Sequence, residues 1–356
     1  MLKNKRLVLI LLFGLQILLN NVLKHYPEFV ERFYSNSIYI FISKLMRYAF
    51  GWLSFSVGDV FYTIVTIYII SWLILNRKRI IKDTLNWVLD ILATLSISFI
   101  SFHILWAFNY YRQPLNKSLN IKAEYSTNEL VAFTERLIKK SNSFHNKLSP
   151  EDDSLKIEIP YSKTEIFNMV NNGYDELAKT YPHLKYKPAS IKKSIYSIPL
   201  TYMGFSGYLN PFTNEAQVDG LIPTYKFPTT SCHEVAHQLG YAAENEANFI
   251  GSLAAIHNKD DYFKYAGYTF ALRYCLAELF RRDSEIYYNI LPSVNYGIIR
   301  NYQEVQTFWM DYENPLEPLF EKTFDSFLKV NNQANGMKSY NYVVALLVNY
   351  YDNKTL

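Results

Sequence analysis

Ser231 to Gly251 read SCHEVAHQLGYAAENEANFIG, and inside them stands His233-Glu234-Val235-Ala236-His237. On a helix, residues four apart lie one above the other on one face, so both imidazoles reach one ion. Glu234 sits a step round from His233, close enough to an open metal position to handle a water proton. Neutral imidazoles for a metal and a free carboxylate for a base are what metal-assisted hydrolysis requires. Only seven histidines occur in the chain, at 25, 103, 145, 183, 233, 237 and 257.

Tetrahedral zinc takes a third protein ligand and leaves its fourth position to water. Gly240 is a natural stop for the His233/His237 helix. The chain restarts at Ala242, and its Ala and Glu content predicts a second helix to Ile256. That helix carries two candidate ligands, Glu244 and Glu246, which face different ways. Glu244 shares its face with Asn248, Gly251, Ser252 and Ala255, and small residues there let the helix approach the metal helix closely. Glu244 is therefore preferred, with Glu246 left open. Asn248 is placed to orient a ligating imidazole or carboxylate. A two-histidine, one-carboxylate site with an open position suits Zn2+ best.

His-Glu-x-x-His followed by Glu-x-x-Ala-Asn resembles the gluzincin metallopeptidases, in which a glutamate on the next helix completes the zinc site. The whole chain, with Asn109-Tyr110-Tyr111-Arg112-Gln113-Pro114-Leu115 at the foot of its apolar front, resembles the uncharacterised bacterial membrane family known as domain of unknown function 3810. Its sharpest part is HEVAHQLGYAAENEANF. The resemblance implies a gluzincin-like α+β peptidase fold and supplies no substrate. Related membrane peptidases usually carry Asp where this chain has Asn248.

Working outward, the front of the chain is apolar. Of the 356 residues, 49% are hydrophobic and 19% charged. Leu7–Leu23 follows Lys3, Lys5 and Arg6 and lacks a small-residue cleavage site, so it reads as an uncleaved membrane helix. Val57–Leu75 and Trp87–Phe108 are two further runs of spanning length. His103, inside the third, reads as a satisfied bundle histidine. Residues 37–55 are apolar but broken by Lys44 and Arg47, which predicts an amphipathic helix along the interface. The basic flanks Lys3, Lys5, Arg6 and Arg77, Lys78, Arg79 share one side, and that side is expected to be cytoplasmic. The expectation is a multi-pass protein of the cell membrane in contact with the lipid bilayer. Residues 1–112 form its membrane domain, and residues 113–356 a metallopeptidase-like domain on the non-cytoplasmic side. A net charge of +4 without basic runs beyond the membrane flanks gives no nucleic-acid partner.

The second part reads as mainly α with a small β-sheet. Ser126 and Ser162 open helices, and Lys187 to Gln217 holds β-friendly residues with turn punctuation directly upstream of the metal helix. A peptide substrate commonly adds a strand to such an edge. Pro228, Thr229, Thr230 and Ser231 start the metal helix. Beyond it, Tyr268 is the preferred oxyanion donor on a helix opened by Asp260-Asp261, with Tyr265, Arg273 and His257 as lesser candidates. An apolar stripe at Tyr340 to Tyr350 reads as packing. Cys232, turned off the His233/His237 face, reads as a small buried residue.

The function these features predict is a membrane-anchored zinc metallopeptidase acting on a peptide or protein substrate, with Glu234 as general base. The alternative is an inactive membrane-tethered binding or scaffold protein on the same fold, against which the intact Glu234 argues. Proteolysis within the bilayer would need the motif inside an apolar span, and Thr229, Thr230, Ser231, Gln238 and Glu244 flank it instead.

Overall fold

The computed structural model describes residues 2–333, 336–337 and 342–356. It is mainly helical, with one three-stranded sheet. Among the described residues, three helices are long and apolar enough to cross a membrane: Lys5–Leu23, Val57–Leu75 and Thr84–Leu105. At ~1.5 Å per residue, such lengths match a hydrocarbon layer of roughly 30 Å. They give the chain a multi-pass membrane placement. Arg6 and Arg79 both pair with Asp90 at 2.9 Å, which brings the basic ends of the spans to one side. His103 is held between Asn20 Nδ2 at 2.8 Å and the Phe99 carbonyl at 2.9 Å.

The third span ends sooner than its hydropathy predicts. At Trp106 the backbone leaves helical geometry (φ −156°, ψ −45°), and Ala107–Tyr111 form a tight 3-10 turn. The amphipathic segment forms helix Tyr39–Phe50. Its Arg47 is buried, bonding the carbonyls of Ser43 and Pro188 and lying 5.1 Å from the Tyr186 ring centre. A residue read as a break in an apolar run is therefore a tie to the second half of the chain.

That half is built around the motif. Helix Phe227–Gln238, the metal helix, follows directly on the 3-10 turn Thr224–Lys226, with Pro228 in its first turn and no side-chain cap. Thr229, Thr230 and Ser231 lie inside it rather than capping it. Gly240 ends it at φ +90°, a conformation that a Cβ disfavours. The ligand helix, Glu244–Ile256, packs along it. A Cβ on Gly251 would fall 2.8 Å from His233 N, so the two backbones touch only because Gly251 has no side chain. Helix Lys163–Thr180 meets the other side, with Gly173 against the Ala254 carbonyl. Helix Asp261–Arg282, capped by Asp260 on the amides of Tyr262 and Phe263, closes the bundle. Helix Thr127–Leu148 begins in the Ser126/Glu129 capping box.

The sheet stands directly before the metal helix. Strands β1 (Ile191–Lys193), β2 (Gly207–Asn210) and β3 (Glu215–Val218) run in the order β1-β3-β2, with β1 parallel and β2 antiparallel to β3. Ser197–Tyr202, where Ile198 reads as β-friendly, is a short helix instead. Gln238 donates to the carbonyls of Ser190 and Asn214 and so bonds the end of the metal helix to the sheet. Of the stripe at 340–350, residues 340 and 341 lie outside the described residues. The remainder forms helix Val343–Tyr350, buried in the core with Phe249 and Leu137. Cys232 and Cys275 are free and buried.

Candidate metal centre

His233, His237 and Glu244 offer three ligand atoms within 4.8 Å of one another. One turn of helix sets the two imidazoles edge to face, with ring centres 4.6 Å apart and planes at 89°. Glu244 begins the next helix, and its Oε2 lies 3.3 Å from His233 Nε2 and 3.4 Å from His237 Nε2. Glu246, two residues on, turns away and accepts from the Leu115 amide at 2.6 Å. Of the two glutamates, only Glu244 faces the histidines.

The surroundings orient the ligand set. His237 Nδ1 donates to the Tyr241 carbonyl at 2.7 Å, which leaves the Nε2 lone pair pointing at the cluster. Trp106 Nε1 donates to the His237 carbonyl at 3.0 Å, and Tyr39 Oη to the Gln238 carbonyl at 2.9 Å. Arg112 donates to the Gly240 carbonyl, forks onto Glu31, and lies 4.1 Å from the Tyr241 ring centre. The turn after the motif is thus clamped by residues that precede the motif by more than a hundred positions.

The donor set fits a divalent cation. Glu244 Oε2 and His233 Nδ1 are buried polar atoms without a hydrogen-bond partner, an arrangement costly unless something else satisfies it. Burial would raise the Glu244 carboxyl. The His237 charge and the nearness of both imidazoles outweigh it and hold the group well below the usual carboxylate range. The same carboxylate, working against burial, pushes His237 up to about 9. A cation set among the three would take the place of that proton.

Glu234 lies on the same helix, with its Oε2 also unpartnered. Burial pushes it up to about 8, the His237 charge lowering it and the Glu244 charge raising it. Strand β2 touches it: a Cβ on Gly207 would lie 2.7 Å from Glu234 Oε1. All four residues open onto a cavity of about 1190 Å³.

Other sequence-based candidates fall elsewhere. Tyr268 is buried against Phe144, with ring centres 5.4 Å apart, and does not line the cavity. Tyr265 bonds Asn301 in the core, while Arg273 and His257 are exposed. The tyrosines that do reach the cavity beside the cluster are Tyr274 and Tyr110. Tyr274 Oη accepts from Asn248 Nδ2 at 3.3 Å. Burial raises both phenols, and the Glu244 charge raises them further. Tyr110 falls in the Asn109–Leu115 junction. Tyr274, one tyrosine among 31, has no sequence signal of its own.

The model of the family described as "Protein of unknown function (DUF3810)" matches residues 34–348. The chain belongs to this family. The match takes in Tyr39, Trp106 and Arg112 as well as the His/His/Glu cluster they clamp. No curated protein and no solved structure matches the chain.

Proposed function

We propose that this member of the family is a membrane-anchored, zinc-dependent peptidase whose active site lies outside the cytoplasm. The observation that carries the reading is the buried convergence of His233, His237 and Glu244, with an unpartnered Glu234 carboxylate oxygen on the same helix. His233, His237 and Glu244 would hold the ion. Zinc in such a site supplies Lewis acidity and brings the pKa of water toward about 7. Glu234 Oε2 takes the proton of the attacking water and returns it to the leaving amine nitrogen. The Tyr274 hydroxyl, its oxygen oriented by Asn248, donates to the oxyanion that develops on the carbonyl. The edge of β2 beside Glu234 aligns an extended peptide by backbone hydrogen bonds. The basic groups Arg6 and Arg79 meet at Asp90 near the start of the third span, while Trp106 just past its other end bonds the His237 carbonyl, which supports the orientation.

The test is metal content of the full chain in detergent, by mass spectrometry. Wild type, Glu234→Gln and Glu246→Gln are expected to carry about one zinc per chain, and His237→Ala and Glu244→Ala to lose it. Glu234→Gln should also lower peptide cleavage by roughly 10²–10⁴-fold. A wild-type chain that takes up no zinc after reconstitution would sink the peptidase reading and leave a binding protein.

A further inference from the structure

A peptidase reading leaves open which peptides reach the cluster. The cavity above it is not walled by the second half of the chain alone. Phe13 of the first span, Tyr62 of the second, and Leu95, Ser98 and Phe99 of the third also line it. Those residues sit in helices apolar and long enough to cross a bilayer, so the cavity reaches from the cluster to the candidate spans. Among the described lining residues only Lys226, Glu234 and Glu244 are Lys, Arg, Asp or Glu, and the two glutamates belong to the site itself. A charged, water-soluble peptide would bury most of its charges there unpaired.

The opposite wall asks for a peptide backbone. Among the described residues, strand β2 pairs with β3 on one edge only, and Gly207, Tyr208 and Leu209 face the cavity. An unpaired edge offers N–H and C=O groups to an extended polypeptide, whereas an acyl chain has no groups to answer them. Helix Glu317–Val330 roofs the space: Phe324 lies 5.0 Å from Phe205, and Phe327 lies 6.1 Å from Phe102, centre to centre. Leu316, Leu319 and Val330 beside these stay more than half exposed (57%, 59% and 76%), as on a helix resting at a membrane surface.

We infer that the substrate is a membrane-anchored polypeptide, its apolar segment lying against the first and third spans and its scissile bond just outside the bilayer, over the His233/His237/Glu244 cluster. This rests on the peptidase reading and names its substrate class. Continuity of one cavity from the lipid-facing spans to the cluster carries it.

The experiment uses the full chain in phosphatidylcholine/phosphatidylglycerol vesicles. A randomised peptide stretch is supplied in three forms: soluble, palmitoylated, and joined to a Leu/Ala membrane-spanning helix. Each is tested against wild type and Ser98→Trp, which fills the cavity at the third span without touching the cluster. The spanning form is expected to be cleaved with kcat/KM at least roughly tenfold above the other two, and Ser98→Trp to abolish that advantage, read as the ratio of spanning to soluble cleavage within each protein, with zinc content unchanged. Confinement to the vesicle would favour the spanning form equally in both proteins, so an advantage that survives Ser98→Trp overturns the inference. So does equal cleavage of the soluble or the palmitoylated form, while the peptidase reading stands. If a zinc-loaded chain cleaves none of the three, the peptidase reading itself fails and takes the inference with it.

Discussion

Single residues decide what the metal cluster can do, and Tyr274 is the sharpest case. It accepts from Asn248, lines the cavity and feels the Glu244 charge, while Tyr268 on the same helix stacks on Phe144. Removing one oxyanion donor typically costs about 10²–10³ in kcat. Tyr274→Phe should fall in that range with KM and zinc content little changed, and Tyr268→Phe should match wild type. Steady-state kinetics on any cleaved peptide decides between them. Lys226, half-buried at the start of the metal helix, makes a second residue-scale case. Burial, helped by Arg273, brings it down to about 8 from 10.5. Between those values the unfolded chain binds the proton more tightly, so stability from this group rises with pH across that window. Lys226→Met removes the penalty. It is expected to gain about 1–2 kcal/mol at pH 7, discounted for partial exposure, and to lose the advantage near pH 10.5. Paired thermal melts of variant and wild type at both pH values check the sign.

Elements set the distances within which those residues act. The metal and ligand helices touch at Gly251, where an added Cβ meets His233 N at 2.8 Å and His233 Cα at 2.9 Å. Both are backbone atoms of His233, so neither yields without moving its imidazole. Gly251→Val should cost about 1–3 kcal/mol of stability. It should also weaken zinc binding, because Glu244 rides on the helix that is pushed away. Zinc affinity by competition with a chelator, alongside a melt, measures both effects. A variant that keeps wild-type affinity would show that the close approach serves packing alone. The small-residue face of Glu244, Asn248, Gly251 and Ser252 is plain from helical periodicity. Hidden from the sequence is the partner: Gly251 meets backbone, not another side chain.

At the scale of the whole molecule, the membrane-facing half and the half that carries the His233/His237/Glu244 cluster are interlocked. Asp59, at the head of the second span, accepts from Ser194 Oγ and Ile195 N at 2.8 Å and from the Tyr208 hydroxyl. Glu215 of β3 reaches back to the amides of Val57 and Gly58. Tyr39, Trp106 and Arg112 hold the turn that follows the motif. Val30, Tyr39, Trp106, Ala107, Tyr110, Tyr111 and Ala242 form one buried cluster. A chain cut to residues 113–356 loses every one of these contacts and exposes the apolar surface they cover. It is expected to aggregate on size-exclusion chromatography while the full chain in detergent stays monodisperse. A soluble, zinc-binding fragment would show that the interlock is dispensable.

The sequence by itself determined the local features. Chain-local periodicity carried the spanning helices, the pairing of His233 with His237, the glycine stop at 240 and the small face beside Glu244, because a helix repeats over a few residues. It favoured Glu244 through that face without excluding Glu246, since the neighbours that each glutamate meets are distant in sequence. Only the tertiary structure decided that Glu244 meets the imidazoles and Glu246 the Leu115 amide. It alone turned Tyr274 inward, buried Arg47, and ran one cavity from the spans to the cluster. Those outcomes depend on contacts between residues far apart in the chain, which no repeat within a helix or strand encodes.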